Sequence, residues 1–545
     1  MVSTRLDPQY RTAALTTLGD GEVDVLVVGG GVVGAGAALD AASRGLSVTL
    51  VEARDWAAGT SSRSSKLIHG GLRYLEQRDF GLVREALRER SLLLTKLAPH
   101  LVRPVPFLYP LRHRGWERAY VGAGVLLYDT LGGARAVPRH RHFSRRQALQ
   151  LAPALRPDAL TGAVGYFDAQ VDDARHTMML ARTAARHGAT VLTRTEVTAL
   201  RYDGPRVVGA QVRDLTSGHD YEVRARRVVG AAGVWTGDLH RLAGVPGPFE
   251  VRTSKGVHLL VPRDRIELST GLIMRTERSV LFVIPWHRHW IVGTTDTPWA
   301  GQLAEPTVTQ SDVDYLLDHV NAVLRTPLTE ADIDGAYAGL RPLLAGDTDE
   351  TTQLSREHAV AEPAPGLFVV AGGKYTTYRV MAADVVGAAV AGLGRAVPPS
   401  LTDRLPLVGA VGYEELWRDR RRFARETGLP VPTVARLLRR YGSAITDLVE
   451  LVRADPTLGE PIPGAEGYLR VEAVYAVTHE GALDLTDVLA RRLRAAVETG
   501  DGGHAAAEPV SELIAPVLGW DAQTRRTEVA RYQEAANSSV SPLPA

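Results

Sequence analysis

Val23–Glu52 reads VDVLVVGGGVVGAGAALDAASRGLSVTLVE, and this stretch decides the fold. Val25–Val28 is a short apolar run rich in β-branched residues, which predicts a buried parallel strand. Gly29, Gly31 and Gly34 follow as G-x-G-x-x-G. The first glycine permits a tight turn, the second lets a pyrophosphate approach the backbone, and the third lets helix pack on strand. Apolar residues from Val32 to Ala42 predict a helix whose N-terminus meets the phosphates, ending at Gly45. Ser47–Val51 predicts the second strand, closed by Glu52, whose carboxylate can take both hydroxyls of an adenosine ribose. A lone glycine fingerprint says little. The whole unit points to a flavin or nicotinamide dinucleotide; the alternative is a glycine-rich turn in an unrelated α/β protein.

Working outward, the bulk properties narrow the class. The 545 residues suffice for two to four domains. With 45% hydrophobic and 23% charged residues the composition is that of a soluble globular protein, and a formal net charge of +1 suggests no nucleic-acid partner. The absence of cysteine excludes disulfides, cysteine-ligated zinc, iron–sulfur clusters, a cysteine nucleophile and a cysteinyl-linked flavin. No metal site is expected. Residues 1–20 lack an apolar core, so no secretory signal is expected. The longest uncharged apolar run, Val25–Leu39, is too short for a spanning helix.

After Glu52, Thr60–Tyr74 (TSSRSSKLIHGGLRY) carries too many hydroxyls and glycines for a core segment and suits a loop wrapping a polar ligand. Phe80–Leu97 predicts an amphipathic helix. Gly115–Thr130 is apolar and aromatic, and Pro138–Arg146 is strongly basic: a cap or surface-binding segment, or a solvated loop. Asp172–His187 predicts a helix; Thr190–Leu200 and Arg206–Arg213 predict strands. Val308–Leu324 predicts a helix capped near Thr309, with Asp312 close by. Ile333–Leu343 is read as containing a turn at Gly339–Pro342. Leu367–Val370 runs into Ala371–Arg379 (AGGKYTTYR) and an alanine-rich helix, a second strand–glycine–helix junction. Distant stretches therefore build one cofactor domain, with a substrate domain inserted. Beyond Pro398-Pro399, six helices are predicted: Tyr413–Glu426, Val431–Tyr441, Ile445–Ala454, Glu466–His479, Asp484–Glu498 and Ser511–Glu534. Their default role is structural: packing, homodimerisation or docking.

These motifs together resemble the FAD-dependent, respiratory glycerol-3-phosphate dehydrogenases. Beyond the fingerprint, the resemblance rests on SSRSSKLIHGGLRYLE (Ser61–Glu76), VDDAR (Val171–Arg175), AAGVW (Ala231–Trp235) and KGVH (Lys255–His258). FVIPW (Phe282–Trp286), GTTD (Gly293–Asp296), GLRPL (Gly339–Leu343) and GGKYTTYR (Gly372–Arg379) continue it in family order over about residues 20–390. Tyr375 departs from the family pattern, which has a smaller aliphatic residue there.

The resemblance implies an α/β chain. Its FAD-binding Rossmann domain is glutathione-reductase/D-amino-acid-oxidase-like and falls in segments 20–110, 161–250 and 351–397. An inserted β-rich substrate (cap) domain occupies 111–160 and 251–350, and an α-helical C-terminal domain occupies 400–535. Gly29, Gly31 and Gly34 would hold the pyrophosphate and Glu52 the ribose. Ser61, Ser62, Ser65, Lys66, His69, Gly70, Gly71 and Leu72 would line the flavin path, bordered by Gly233 and Trp235. Gly373, Lys374 and Thr376 would lie near the isoalloxazine. Arg73, Tyr74, Arg341 and Lys374 would line the glycerol 3-phosphate pocket with His258, the best candidate base; a phosphate dianion favours the forked donors of arginine and the charge of lysine. The implied reaction oxidises sn-glycerol 3-phosphate to dihydroxyacetone phosphate and passes electrons to a membrane quinone. The rivals are a glycerophosphate oxidase reducing oxygen, an amine or amino-acid oxidase of the same fold, and an FAD-bound assembly protein with a dead pocket.

A quinone acceptor without a spanning helix implies peripheral attachment to the cytoplasmic face of the cell membrane. The candidate contact is Arg112–Arg146, where Arg112, Arg114, Arg118, Arg139, Arg141, Arg145 and Arg146 accompany Trp116, Tyr120, Tyr128 and Phe143.

Overall fold

The computed structural model describes residues 5–71, 79–113, 115–131, 136–277, 280–345 and 357–539. The fingerprint strand Glu22–Val28 lies inside an eight-stranded sheet. Parallel neighbours Asp220–Gly230 and Val48–Val51 flank it, followed by Leu367–Gly372 on one side and Thr190–Leu192 on the other. His358–Ala364 adds antiparallel at one edge, and the hairpin Thr195–Asp203/Arg206–Asp214 hooks onto Asp220–Gly230. Both faces of the sheet are covered, which is why Val25, Leu26 and Val27 form an unbroken apolar run. The helices Val32–Ser43, Asp173–Arg186 and Tyr378–Val390 pack one face through a single apolar core.

The second sheet has ten strands. Its longest strand, Val251–Pro262, pairs along most of its length with Gly335–Leu344, and on its other side with His289–Gly293 and Thr297–Pro298. Alternation along Val251–Pro262 separates its duties. Val257 and Leu259 enter the core under the helix Gln310–Asn321, whereas Gly256 and His258 face the opposite way. Lys255 pairs with Asp312 at 2.5 Å, the residue that closes the Thr309 capping box of that helix.

Several expectations change. The strands Arg103–Leu111 and Gly162–Gln170, assigned above to the cofactor domain, pair with each other and with the substrate sheet. Their apolar runs are the same in either sheet, so only pairing separates them. No turn interrupts Gly335–Leu344 at Pro342; that residue sits opposite Thr253 in a strand that, among the described residues, pairs on one side only, where a missing N–H is tolerated.

In the C-terminal domain, Ala465–Leu469 is strand and the helix begins at Arg470. The expected helix Ser511–Glu534 is two, His504–Leu518 and Ala522–Ser539, parted at Gly519. Tyr413–Glu426 likewise splits into Tyr413–Arg418 and Arg420–Thr427. Asp484–Glu498 is not one helix: a wide-wound segment Asp487–Leu493 is broken by Arg494 in the left-handed region at φ +83° before Ala495–Glu498.

Gly115–Thr130 resolves into a surface helix, Trp116–Leu131. Trp116, Tyr120, Leu126 and Leu127 are exposed on it. Tyr128, counted above among surface aromatics, is fully buried; its hydroxyl donates to Asp168 at 2.6 Å and accepts from Gly70 N at 2.7 Å. Arg118 is half-buried and bonds the Phe143 carbonyl, and Arg114 lies outside the described residues.

Candidate active site

A cavity of about 700 Å³ opens between the two sheets. At one end Gly29, Gly31 and Val32 present the start of the helix Val32–Ser43. Gly29 adopts φ +110°, and a Cβ there would lie 2.6 Å from the Ala231 carbonyl oxygen. Ser61 Oγ accepts from Val32 N at 2.9 Å, which ties the serine-rich loop to the helix start. Glu52 Oε2 accepts from Gly30 N at 2.6 Å and Oε1 from Arg54 N at 2.8 Å. Each carboxylate oxygen retains acceptor capacity for a further hydroxyl. Burial raises the Glu52 pKa, opposed by those two amide hydrogen bonds. Arg54 lies 5.5 Å over the Trp235 ring at the cavity wall.

At the other end, Gly256 and Gly339 are register partners, as are His258 and Tyr337, and Ser254 and Arg341. A Cβ on Gly256 would stand 2.5 Å from Arg341 Nη2, so the glycine makes room for the guanidinium. Arg341 Nη2 donates to Thr294 Oγ1 at 3.1 Å and to the Thr295 carbonyl at 3.2 Å, and Nη1 lies 3.7 Å from Asp296. His258 Nε2 is 2.8 Å from Ser65 Oγ, and its ring stacks on Tyr337 at 4.8 Å. Burial, then the Arg341 and Lys66 charges, hold the imidazole well below its ordinary pKa. His258 is therefore neutral near pH 7 and able to take a proton. Lys374 enters from the second glycine junction, just ahead of the helix Tyr378–Val390.

The chain matches the family model of FAD-dependent oxidoreductases over residues 24–393 and that of the C-terminal domain of alpha-glycerophosphate oxidase over residues 400–525. It is 57% identical over 535 residues to glycerol-3-phosphate dehydrogenase 2 of Mycobacterium tuberculosis (strain ATCC 25618 / H37Rv), spanning 98% of this chain and 92% of that protein. The chain belongs to the FAD-dependent glycerol-3-phosphate dehydrogenase family. The mitochondrial glycerol-3-phosphate dehydrogenase of Homo sapiens is 34% identical over 538 residues, 94% of this chain and 73% of that protein. The crystal structure of the glycerol-3-phosphate dehydrogenase from Bacillus halodurans complexed with FAD superposes with a TM-score of 0.80 at 28% identity, covering 100% of both chains.

FAD is the cofactor. The cavity's shape and donors fit it. The helix start and Gly31 suit the pyrophosphate. Glu52 suits the ribose, and Gly256 and Gly339 on the wall make room for the Arg341 guanidinium and for the Arg63 backbone.

Of the residues expected at the site, Gly29, Gly31, Glu52, Ser61, Ser65, His69, Gly71, Gly233, Trp235, His258, Arg341, Gly373, Lys374 and Thr376 lie on the cavity wall. Thr376 Oγ1 accepts from His69 N at 3.1 Å, joining the serine-rich loop to the second glycine junction. Leu72, Arg73 and Tyr74 lie outside the described residues.

Four expected residues stand behind the wall. Gly34 packs against the fingerprint turn, where a Cβ would overlap the Gly29 carbonyl oxygen. Gly70 binds Tyr128. Ser62 is buried, and its carbonyl accepts from Lys66 Nζ at 2.6 Å. Lys66 does not reach the flavin path: it pairs with Asp173 at 2.8 Å, and burial plus the Arg494 charge lower its pKa to about 8.

Sequence reasoning passed over Arg63 on the wall, Tyr337 under His258, and Asp173. Two of these sat in quoted motifs, SSRSSK and VDDAR, where position in the motif was the available signal. Tyr375, the departure from the family pattern, donates from its hydroxyl to the Asp173 carbonyl at 2.8 Å and lies 3.0 Å from His176 Nδ1.

Proposed function

We propose that this chain oxidises sn-glycerol 3-phosphate to dihydroxyacetone phosphate and delivers the electrons to a membrane quinone. The observation that carries the substrate reading is one face of one strand pair: His258 and Arg341 project into the same cavity, which Lys374 also lines from the second glycine junction. Bound FAD supplies the two-electron hydride acceptor. Arg341 and Lys374 bind the phosphate dianion by charge-assisted hydrogen bonds, which fixes the distance from phosphate to the carbinol carbon. His258 takes the hydroxyl proton: burial and the Arg341 and Lys66 charges keep its imidazole neutral, with the acceptor form in place before substrate binds. Ser65 and Tyr337 hold its ring against rotation.

The quinone reading is supported by the surface helix Trp116–Leu131. Its exposed Trp116, Tyr120, Leu126 and Leu127 lie in the same cap region as the exposed Arg139, Arg141, Arg145 and Arg146. Apolar groups at an interface bury area, and each basic residue adds about 1 kcal/mol near an anionic leaflet. Among the described residues no helix is long and apolar enough to cross a membrane, so attachment would be peripheral, on the cytoplasmic face.

Anaerobic glycerol 3-phosphate should bleach the flavin spectrum, and a short-chain quinone should restore it faster than oxygen does. A spectrum unmoved by the substrate sinks the substrate reading, and stoichiometric peroxide at the full turnover rate favours an oxidase. Anionic vesicles should pellet the protein at low salt, but not a variant with Arg139, Arg141, Arg145 and Arg146 changed to serine.

A further inference from the structure

The loop Ser61–Lys66 is held from beneath by buried charges drawn from distant parts of the chain. Asp173, fully buried, is the hub. Its Oδ2 accepts from Ser64 N at 2.9 Å and from Ser64 Oγ at 2.7 Å. Its Oδ1 accepts from Lys66 Nζ at 2.8 Å and from Arg494 Nη2 at 2.5 Å. Arg494 Nη1 also donates to the Ser62 carbonyl at 3.1 Å, and Nη2 reaches Asp172 Oδ1 at 2.6 Å. Arg494 belongs to the C-terminal domain, more than four hundred residues from the loop it grips. It adopts a left-handed backbone conformation at φ +83°, which is unfavourable for a non-glycine residue and persists only where the surroundings over-determine it. Here the guanidinium contacts supply that determination, and they converge on the loop carrying Ser65.

We propose that Arg494 is a positioning residue for the oxidation: by gripping Asp173 and the Ser62 carbonyl, it sets Ser65 Oγ against His258 Nε2. The inference rests on His258 being the proton acceptor. The two positive charges of Lys66 and Arg494 face the two carboxylates of Asp172 and Asp173. Removing the guanidinium leaves Lys66 still on Asp173 and on the Ser62 carbonyl. The loop then keeps its course but loses one of two clamps. A misplacement of about 1 Å remote from the chemistry costs roughly 10²-fold in rate. The C-terminal domain thereby completes the active site, beyond packing against it. The neighbouring Arg491 belongs to a separate grip, on Asp55 at 2.5 Å behind the adenosine end, and touches neither Ser62 nor Asp173.

The test compares Arg494→Gln, Arg494→Lys and Arg491→Gln as FAD-loaded proteins, each reduced anaerobically by glycerol 3-phosphate. All three should retain stoichiometric FAD. The maximal flavin reduction rate should fall about 100-fold in Arg494→Gln and less in Arg494→Lys, while half-saturation stays within about two-fold. Arg491→Gln should keep the parent rate. Ser65→Ala should be slow by itself, and Ser65→Ala with Arg494→Gln should be no slower than the worse single change, since both act through one contact. A parent-like rate in Arg494→Gln, losses that add with Ser65→Ala, or an equal loss in Arg491→Gln overturns the proposal.

Asp172→Asn keeps a good helix cap while weakening the grip on Arg494, so it serves if Arg494→Gln does not accumulate. Because Arg494 still reaches Asp173 and the Ser62 carbonyl, this variant should show a smaller rate loss than Arg494→Gln at unchanged half-saturation; a loss of FAD or a raised half-saturation with a parent-like rate overturns the proposal. Failure of glycerol 3-phosphate to reduce the parent flavin, or an unaltered rate in His258→Asn, removes instead the reading on which the proposal stands. Both are distinct from a loss confined to the Arg494 and Asp172 variants.

Discussion

The two ends of the cavity are built by opposite means. At the adenosine end, Gly29, Gly31 and Glu52 come from one stretch of thirty residues, and the binding groups are backbone amides, a helix start and one carboxylate. At the substrate end, Ser65, His258, Arg341 and Lys374 come from four distant segments. Ser65, His258 and Arg341 are aimed by strand register or a buried partner. The adenosine end holds a constant ligand, so local geometry suffices. The substrate end must place a base, a phosphate anchor and a reacting carbon within tenths of an ångström, so it draws on tertiary structure. Changes at the first end should therefore move cofactor affinity, and changes at the second should move rate.

His258→Asn is the sharpest break. A positioned general base contributes roughly 10²–10⁴-fold, so flavin reduction in stopped flow should slow by that order while the substrate concentration for half-saturation changes little. An equal loss of FAD would erase the division between the two ends. Arg341→Ala and Lys374→Ala come next. A hydrogen bond to a charged group contributes about 1.5–3 kcal/mol, or roughly 10- to 150-fold in kcat/KM for glycerol 3-phosphate. Unphosphorylated glycerol, already a poor substrate, should be far less affected; equal losses with both substrates would dismiss the anchor role.

At the other end, Glu52→Gln should weaken FAD binding about 10-fold in a titration of apoprotein, at the low end of the same energy range. Once saturated with FAD, this variant should reduce its flavin at the parent rate. A slow saturated variant would show that the ends are coupled. The smallest expected effect is on pH. Burial beside Arg341 and Lys66 depresses the His258 pKa well below its ordinary value of 6.5. The neutral, proton-accepting form therefore persists as pH falls through that value. Flavin reduction at saturating substrate, where the titration of free phosphate at about pH 6 drops out, should be level from about pH 7 to pH 6, declining only further into acid. A decline centred near pH 6.5 would mean that His258 is solvated in the working enzyme.

Legibility in the sequence followed the same division. The fingerprint unit and the Thr309 cap with Asp312 were readable because the groups that interact lie within one strand–helix unit or one helical turn. His258 and Arg341 were reachable only through their motifs; nothing local says that Ser254 lies opposite Arg341, or His258 opposite Tyr337. Lys66 shows how motif position misleads. It sits in the serine-rich loop among residues on the wall, yet its ammonium is buried on Asp173 behind that wall. Tyr128 misleads in the same way, since an aromatic on a surface helix points inward or outward according to a partner 58 residues away.

The C-terminal domain is the extreme case. Its charged stretch Asp484–Arg494 falls in a segment that the sequence predicts only as a helix of structural role. In the structure Arg491 and Arg492 close on Asp55, and Arg494 closes on Asp172 and Asp173. Buried ions of this kind are tolerated only when paired, and a pair is a fact about two chain positions together. By itself the sequence determined the dinucleotide unit, the class of chemistry and the glycine, serine and charged residues that mark the cavity wall, because these follow from period, glycine spacing and motif. Only the tertiary structure decided which strands share a sheet, which charged side chains are withdrawn from the cavity, and that the C-terminal domain reaches the catalytic loop. Those outcomes depend on register and charge pairing across hundreds of residues, where local propensity carries no information.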